Sequence, residues 1–118
     1  MKIIADCAIP FLEDVLTEVT DLFPYGLVHI GGDECPKARW KECPRCQRRM
    51  RDEGLGSEEE LQSYFVRRIE RFLASRNRRM VGWDEIRQGG LSETAIVLSR
   101  KREQGLRSAL ENGNDVIM

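Results

Sequence analysis

Two dipeptides of the same kind stand at the ends of apolar runs. Asp33-Glu34 follows "VHIGG", and Asp84-Glu85 follows "MVGW". Adjacent carboxylates repel, and an ordinary strand end has no need of them. Each pair is therefore a candidate for proton transfer or for stabilising a developing positive charge. Cleavage of a glycosidic bond asks for both: an acid to protonate the leaving oxygen and a second group to stabilise the cationic carbon. Side chains of consecutive residues in a regular strand point to opposite sides. Asp33 and Glu34 can therefore meet one ligand only if the strand is interrupted, and Gly31 and Gly32 are expected to interrupt it, as a bulge or a close approach. The single histidine, His29, lies just upstream, and Trp83 directly precedes Asp84.

The elements that must carry these residues follow from periodicity. "PFLEDVLTEVTDLF" spaces Phe11, Leu12, Val15, Leu16, Val19, Leu22 and Phe23 at helical intervals, with Pro10 suited to a first turn and Pro24 as the stop. "GLVHI" has strand length. A polar, cysteine-rich loop extends from there to about Gly56, and "CPRCQRRMRDEG" within it reads as a short helix. Ser57 and Glu60 form a capping-box signature before "EEELQSYFVRRIERFLASR", whose Leu61, Tyr64, Phe65, Ile69, Phe72 and Leu73 share a face. "RRMVGW" is a strand ending in Trp83-Asp84-Glu85. "TAIVLS" is a strand, "REQGLRSALENG" a helix closing at Gly113, and "NDVIM" a last strand. Alternation of strands and helices predicts right-handed βα units, a parallel sheet and an α/β fold. In such sheets ligands bind at the C-terminal strand ends, where both carboxylate pairs lie.

Composition narrows the classes. With 118 residues, 41% hydrophobic and 33% charged, the chain is one modest globular domain. A net charge of -1 provides no overall field for nucleic acid or an anionic membrane, so neither is expected as a partner. The arginine clusters at 48–51 and 67–71 read as solvated helix faces. No run approaches the roughly 18 apolar residues of a membrane span. "MKIIADCAIP" is too short, with Asp6 too early, for a secretion signal. Either the protein stays in the cytoplasm or the N-terminus of a longer protein is absent. Cys7, Cys35, Cys43 and Cys46 leave three readings open: a zinc site, a disulfide within the loop, or plain thiols, which the isolated Cys7 favours.

"HIGGDE" matches the H-x-G-G-D-E signature of family 20 glycoside hydrolases, the β-N-acetylhexosaminidases. The likeness runs on through "FLEDVLTEVTDLFP", "CPKARWKECPRCQRRMRDEGL", "LQSYFVRRIERFL" and "GWDEI", over roughly residues 10 to 98. The resemblance implies a (β/α)₈ TIM barrel, with "LVHIGGDE" on its fourth strand and "MVGWDE" on its fifth. It implies substrate-assisted retaining hydrolysis of terminal β-linked N-acetylhexosamine, in which the substrate's own acetamido oxygen is the nucleophile. Glu34 would be the general acid and base, and Asp33 would orient the 2-acetamido group. Trp83 would wall the acetamido pocket, and His29 would support the site by hydrogen bonds. Asp84 and Glu85 would support the site from behind, and Trp40 would serve packing. The partners implied are N-acetylhexosamine-containing glycans, with no metal or organic cofactor. Relatives are often periplasmic, secreted or lysosomal, and nothing in these residues chooses among those locations.

Two departures stand out. Where the family usually has Ser-Trp-Arg-Gly, this chain has Ser99-Arg100-Lys101-Arg102. An arginine in place of an apolar wall would admit water and a charge beside a developing cation. A (β/α)₈ barrel also needs about 250 residues. Residues 1–118 are therefore expected to be a fragment of such a domain, approximately strands 4 to 7, with about four parallel strands and a tendency to self-associate through exposed sheet edges. Two other readings stand beside this one: a non-catalytic sugar-binding remnant, and a small zinc or redox module on Cys35, Cys43 and Cys46.

Overall fold

The structure is a computed structural model that describes residues 8–99 and 104–117. Cys7 and Arg100, and with them the departure at Arg100, lie outside the described residues. The order is α1 (Ala8–Leu22), β1 (Leu27–His29), α2 (Ala38–Glu42), α3 (Pro44–Asp52), α4 (Glu58–Ser75), β2 (Arg79–Trp83), a 3₁₀ turn (Asp84–Arg87), β3 (Ile96–Leu98), α5 (Gln104–Glu111) and β4 (Asp115–Ile117). The four strands form one parallel sheet in the order β1-β2-β3-β4. This is the α/β class expected from the sequence, an arc of a (β/α)₈ barrel rather than a closed one.

Strand alternation sorts the side chains onto two faces. Val28, Ile30, Met80 and Ala95 meet Val66, Ile69 and Leu73 of α4, with Leu12 and Leu16 of α1 behind them. Burying each such side chain contributes roughly 1.5–3 kcal/mol. Leu73 is fully buried, so Leu73→Ala costs about 2–5 kcal/mol. The opposite face carries His29, Val81, Trp83, Ile96 and Leu98, matched by register. Val81 and Ile96 in the middle are buried, whereas Leu27 and Ile117 on the two edge strands are exposed.

Helix α4 is fixed at both ends. Ser57 Oγ accepts from the Glu60 N–H at 3.2 Å. Glu60 Oε2 reaches back to the Gly56 N–H at 2.8 Å, one residue upstream of the usual capping-box target. At the other end Asn77 takes a left-handed φ of 58°, and the Arg78 N–H donates to Leu73 O at 2.9 Å, closing the last turn. Arg76 Nε then donates to Thr20 Oγ1 at 2.6 Å and Arg78 Nη2 to Thr20 O at 3.1 Å, tying α4 to the end of α1.

Two expectations are corrected, and the helical spacing of α1 resolves into an inner and an outer face. The loop before Gly56 contains a second helix, α2, which places Trp40 in a core of its own with Cys46, Met50 and Leu61. Asp84 and Glu85 do not end the β2 strand; they begin the 3₁₀ turn. The apolar positions of α1 do not share one buried face: Leu12 and Leu16 pack inward, while Phe11, Val15 and Leu22 are exposed.

Candidate active site at the C-terminal strand ends

The β1 chain stays bonded to β2 slightly beyond its last strand residue. The Ile30 N–H donates to Val81 O and the Trp83 N–H to Gly31 O, both at 2.9 Å. Gly31 and Gly32 then take φ of +75° and +93°, conformations that glycine adopts at no steric cost. A Cβ on Gly32 would overlap Ile86 Cγ2, and one on Gly82 would stand 2.6 Å from Ile86 Cδ1. Both glycines are thus the floor on which the fully buried Ile86 rests. Of the two readings of the glycine pair, the close approach is the one observed: the chain turns beyond the strand, and Gly32 leaves the space that Ile86 fills.

His29 braces this turn. Its Nδ1 accepts from the Gly31 N–H at 3.0 Å, which assigns the ring proton of the neutral form to Nε2. Its ring meets Trp83 edge to face, with centroids 5.0 Å apart and an interplanar angle of 66°. His29 is exposed, so it is not a core histidine.

Beyond the turn, Asp33 is half-buried and Glu34 is exposed. Glu34 has φ 45°, one of two described non-glycine residues in the left-handed region. For a residue with a Cβ that conformation costs roughly 1–2 kcal/mol, and such strain gathers at functional sites. Asp33 and Glu34 line one cavity of about 240 Å³ together with Ile30, Trp40, Gln62 and Phe65. Trp83 is not among the residues lining it. Glu34 also borders a more open cavity of about 380 Å³ with Lys37, Gln62, Glu85 and Gln88.

The two carboxylates after β2 sit differently. Asp84 is 7% exposed, and its Oδ2 accepts from Ser99 Oγ at 3.3 Å. Its carbonyl accepts from Arg87 Nε at 3.1 Å. Glu85 is half-buried, with Oε2 buried and without a hydrogen-bond partner among the described residues. Sequence reasoning missed Gln62, which is 5% exposed. Its Nε2 donates to Gly32 O at 3.2 Å, holding the glycine turn from α4, and its Oε1 is buried without a partner among the described residues. The available signal was a polar residue heading the stripe Gln62, Phe65, Val66, Ile69, whose other members are apolar.

Among the described residues no group of three or more His, Cys, Asp or Glu is arranged to hold a metal ion. Cys35, Cys43 and Cys46 are not joined in a disulfide among the described residues. No described helix is long and apolar enough to cross a membrane.

Comparison with known proteins gives the family and the fold. Residues 1–118 match the model of glycosyl hydrolase family 20, catalytic domain. The chain is 51% identical over 113 residues to a β-hexosaminidase of Porphyromonas gingivalis, covering 96% of this chain and 14% of that protein. It is 40% identical over 109 residues to a β-hexosaminidase of Vibrio furnissii, covering 92% and 18%. A solved β-N-acetylhexosaminidase from Bacteroides fragilis superimposes with a TM-score of 0.88 at 29% identity, over 96% of this chain and 24% of that one. The family 20 exo-β-N-acetylglucosaminidase of Vibrio harveyi, solved with N-acetylglucosamine, gives 0.83 at 36% identity over 91% and 17%. The chain thus spans less than a quarter of the length of each of these relatives, and it belongs to glycosyl hydrolase family 20, within the catalytic domain.

Proposed function

We propose that residues 1–118 are the acid–base segment of a (β/α)₈ barrel, approximately its strands 4 to 7, from an enzyme that hydrolyses terminal β-linked N-acetylhexosamine. The observation that carries this reading is the presentation of Asp33 and Glu34. They stand side by side at a C-terminal strand end, on a braced glycine turn, with Glu34 in a left-handed conformation. Relatives named β-hexosaminidase support the substrate class.

In the proposed mechanism Glu34 protonates the glycosidic oxygen as it leaves. The acetamido oxygen of the same sugar attacks the anomeric carbon and closes an oxazolinium ring. Asp33 accepts the acetamido N–H, orients the group and stabilises the positive charge that spreads onto it. Glu34, now a carboxylate, takes a proton from the water that opens the ring, so configuration is retained. Adjacency then has a reason: the two carboxylates serve different atoms of one sugar. Trp83 offers an apolar wall for the acetamido methyl. His29 holds both the glycine turn and the Trp83 ring, and Asp84 and Glu85 brace the neighbouring strand end. The glycan partner binds across these strand ends, and the exposed β1 and β4 edges favour pairing with further strands or a second copy.

The test is hydrolysis of 4-nitrophenyl N-acetyl-β-glucosaminide by the protein and by Glu34→Gln. The proposal expects turnover that falls about 10²–10⁴-fold in the variant, with sugar binding retained. Unchanged turnover in the variant overturns it. Sugar binding without turnover in the parent would identify a sugar-binding remnant instead.

A further inference from the structure

The cysteine-rich segment is not used by the hydrolytic reading, and its geometry has a chemistry of its own. We propose that Cys43 and Cys46 form a redox-active dithiol, with Cys43 as the attacking thiol and Cys46 as the resolving thiol. The pair passes reversibly to an intrachain disulfide by exchange with an external disulfide.

The argument begins with spacing. Cys43 is the extended residue immediately before α3, with φ −83° and ψ 113°; Pro44 opens the helix and Cys46 lies in its first turn. Residues three apart across a helix start are brought together. Here Cys43 packs against the cluster that holds Cys46. The neutral thiol makes no cap hydrogen bond. A thiolate there would gain from the unsatisfied N–H groups of the helix end. The Cys46 N–H, then the Cys46 thiol, hold the Cys43 thiol below its ordinary range, with the Arg45 N–H and charge adding to this and burial opposing it.

Exposure divides the roles. Cys46 is 1% exposed, packed among Trp40, Met50 and Leu61. Cys43 lies half-buried at the edge of that cluster, where an external disulfide reaches it. The Cys43 thiolate attacks one sulfur of the external disulfide, forms a mixed disulfide and expels one thiolate. Cys46, its proton passed to solvent, attacks the Cys43 sulfur and expels the second. The protein dithiol gives up two electrons and two protons, and the external disulfide takes them. Cys35 packs against the same cluster and is the competing partner.

The experiment reads linkage directly. The folded chain is incubated with excess oxidised glutathione, blocked with N-ethylmaleimide and digested with trypsin. Cleavage after Arg45 separates the two cysteines, so a Cys43–Cys46 bond holds peptides 42–45 and 46–48 together until reduced. The proposal expects this linked pair to dominate, and Cys46→Ser to stop at glutathione attached to Cys43. It also expects iodoacetamide to modify Cys43 at pH 7 about 10-fold faster in the folded chain than in urea, an advantage that Cys46→Ser largely keeps because its backbone N–H and hydroxyl still donate. Linkage through Cys35, or a Cys43 no more reactive folded than unfolded, overturns it. None of these readouts depends on hydrolysis.

Discussion

The same dipeptide, Asp-Glu, follows two neighbouring parallel strands and meets two different fates. After β1, the glycine pair turns the chain away from the sheet, and Glu34 is held exposed in a left-handed conformation with Asp33 beside it. After β2, the chain enters a 3₁₀ turn, Asp84 is buried against Ser99, and Ile86 is driven under the first turn. One pair stands beyond a glycine turn, and the other opens the 3₁₀ turn that carries Ile86 beneath it. The difference lies in backbone conformation and not in residue type, since the carboxylates are chemically identical.

The contrast can be tested by exchanging what each pair is asked to do. The largest effect is expected from Glu34→Gln, which lowers turnover about 10²–10⁴-fold in a chromogenic assay. Asp84→Asn in the same assay should change turnover far less. Next comes Gly32→Ala. Its Cβ overlaps Ile86 and its φ of +93° disfavours any side chain, so a loss of about 1–3 kcal/mol is expected in urea unfolding. Smaller is Asp84→Asn itself, which weakens a buried hydrogen bond from Ser99 and costs about 1–2 kcal/mol. Smallest is Glu34→Gly. Relief of the left-handed strain offsets the added freedom of the unfolded chain, so stability should stay level or rise by about 0.5–1 kcal/mol while activity is lost. A Glu34→Gly chain that melts well below the parent would mean that Glu34 is as structural as Asp84.

The legibility of these regions in the sequence was uneven for physical reasons. Helix α4 was legible because its cap, its period and its length all agree. The strands were legible from short apolar runs, and the parallel sheet from their alternation with helices. Helix α2 was not, because five residues, "ARWKE", are too few to display a period. The glycine pair after β1 left a bulge and a close approach open because glycines serve both; the Ile86 side chain filling the space above Gly32 and Gly82 decides between them. Asp84 was read as supporting rather than chemical, and its partner Ser99 comes from the end of another strand, a contact no local pattern encodes. Gln62 was passed over for the same reason, since its bond to Gly32 O spans 30 residues.

The division of labour between Asp33 and Glu34 is tested most directly by leaving-group dependence. Aryl N-acetyl-β-glucosaminides of graded phenol acidity would be hydrolysed by the protein, by Glu34→Gln and by Asp33→Asn. If Glu34 supplies the proton, its variant should lose most on poor leaving groups and recover on the most acidic phenols. If Asp33 orients the acetamido group, its variant should lose a similar factor on all of them. The opposite assignment of the two patterns, or identical patterns in both variants, would contradict the account.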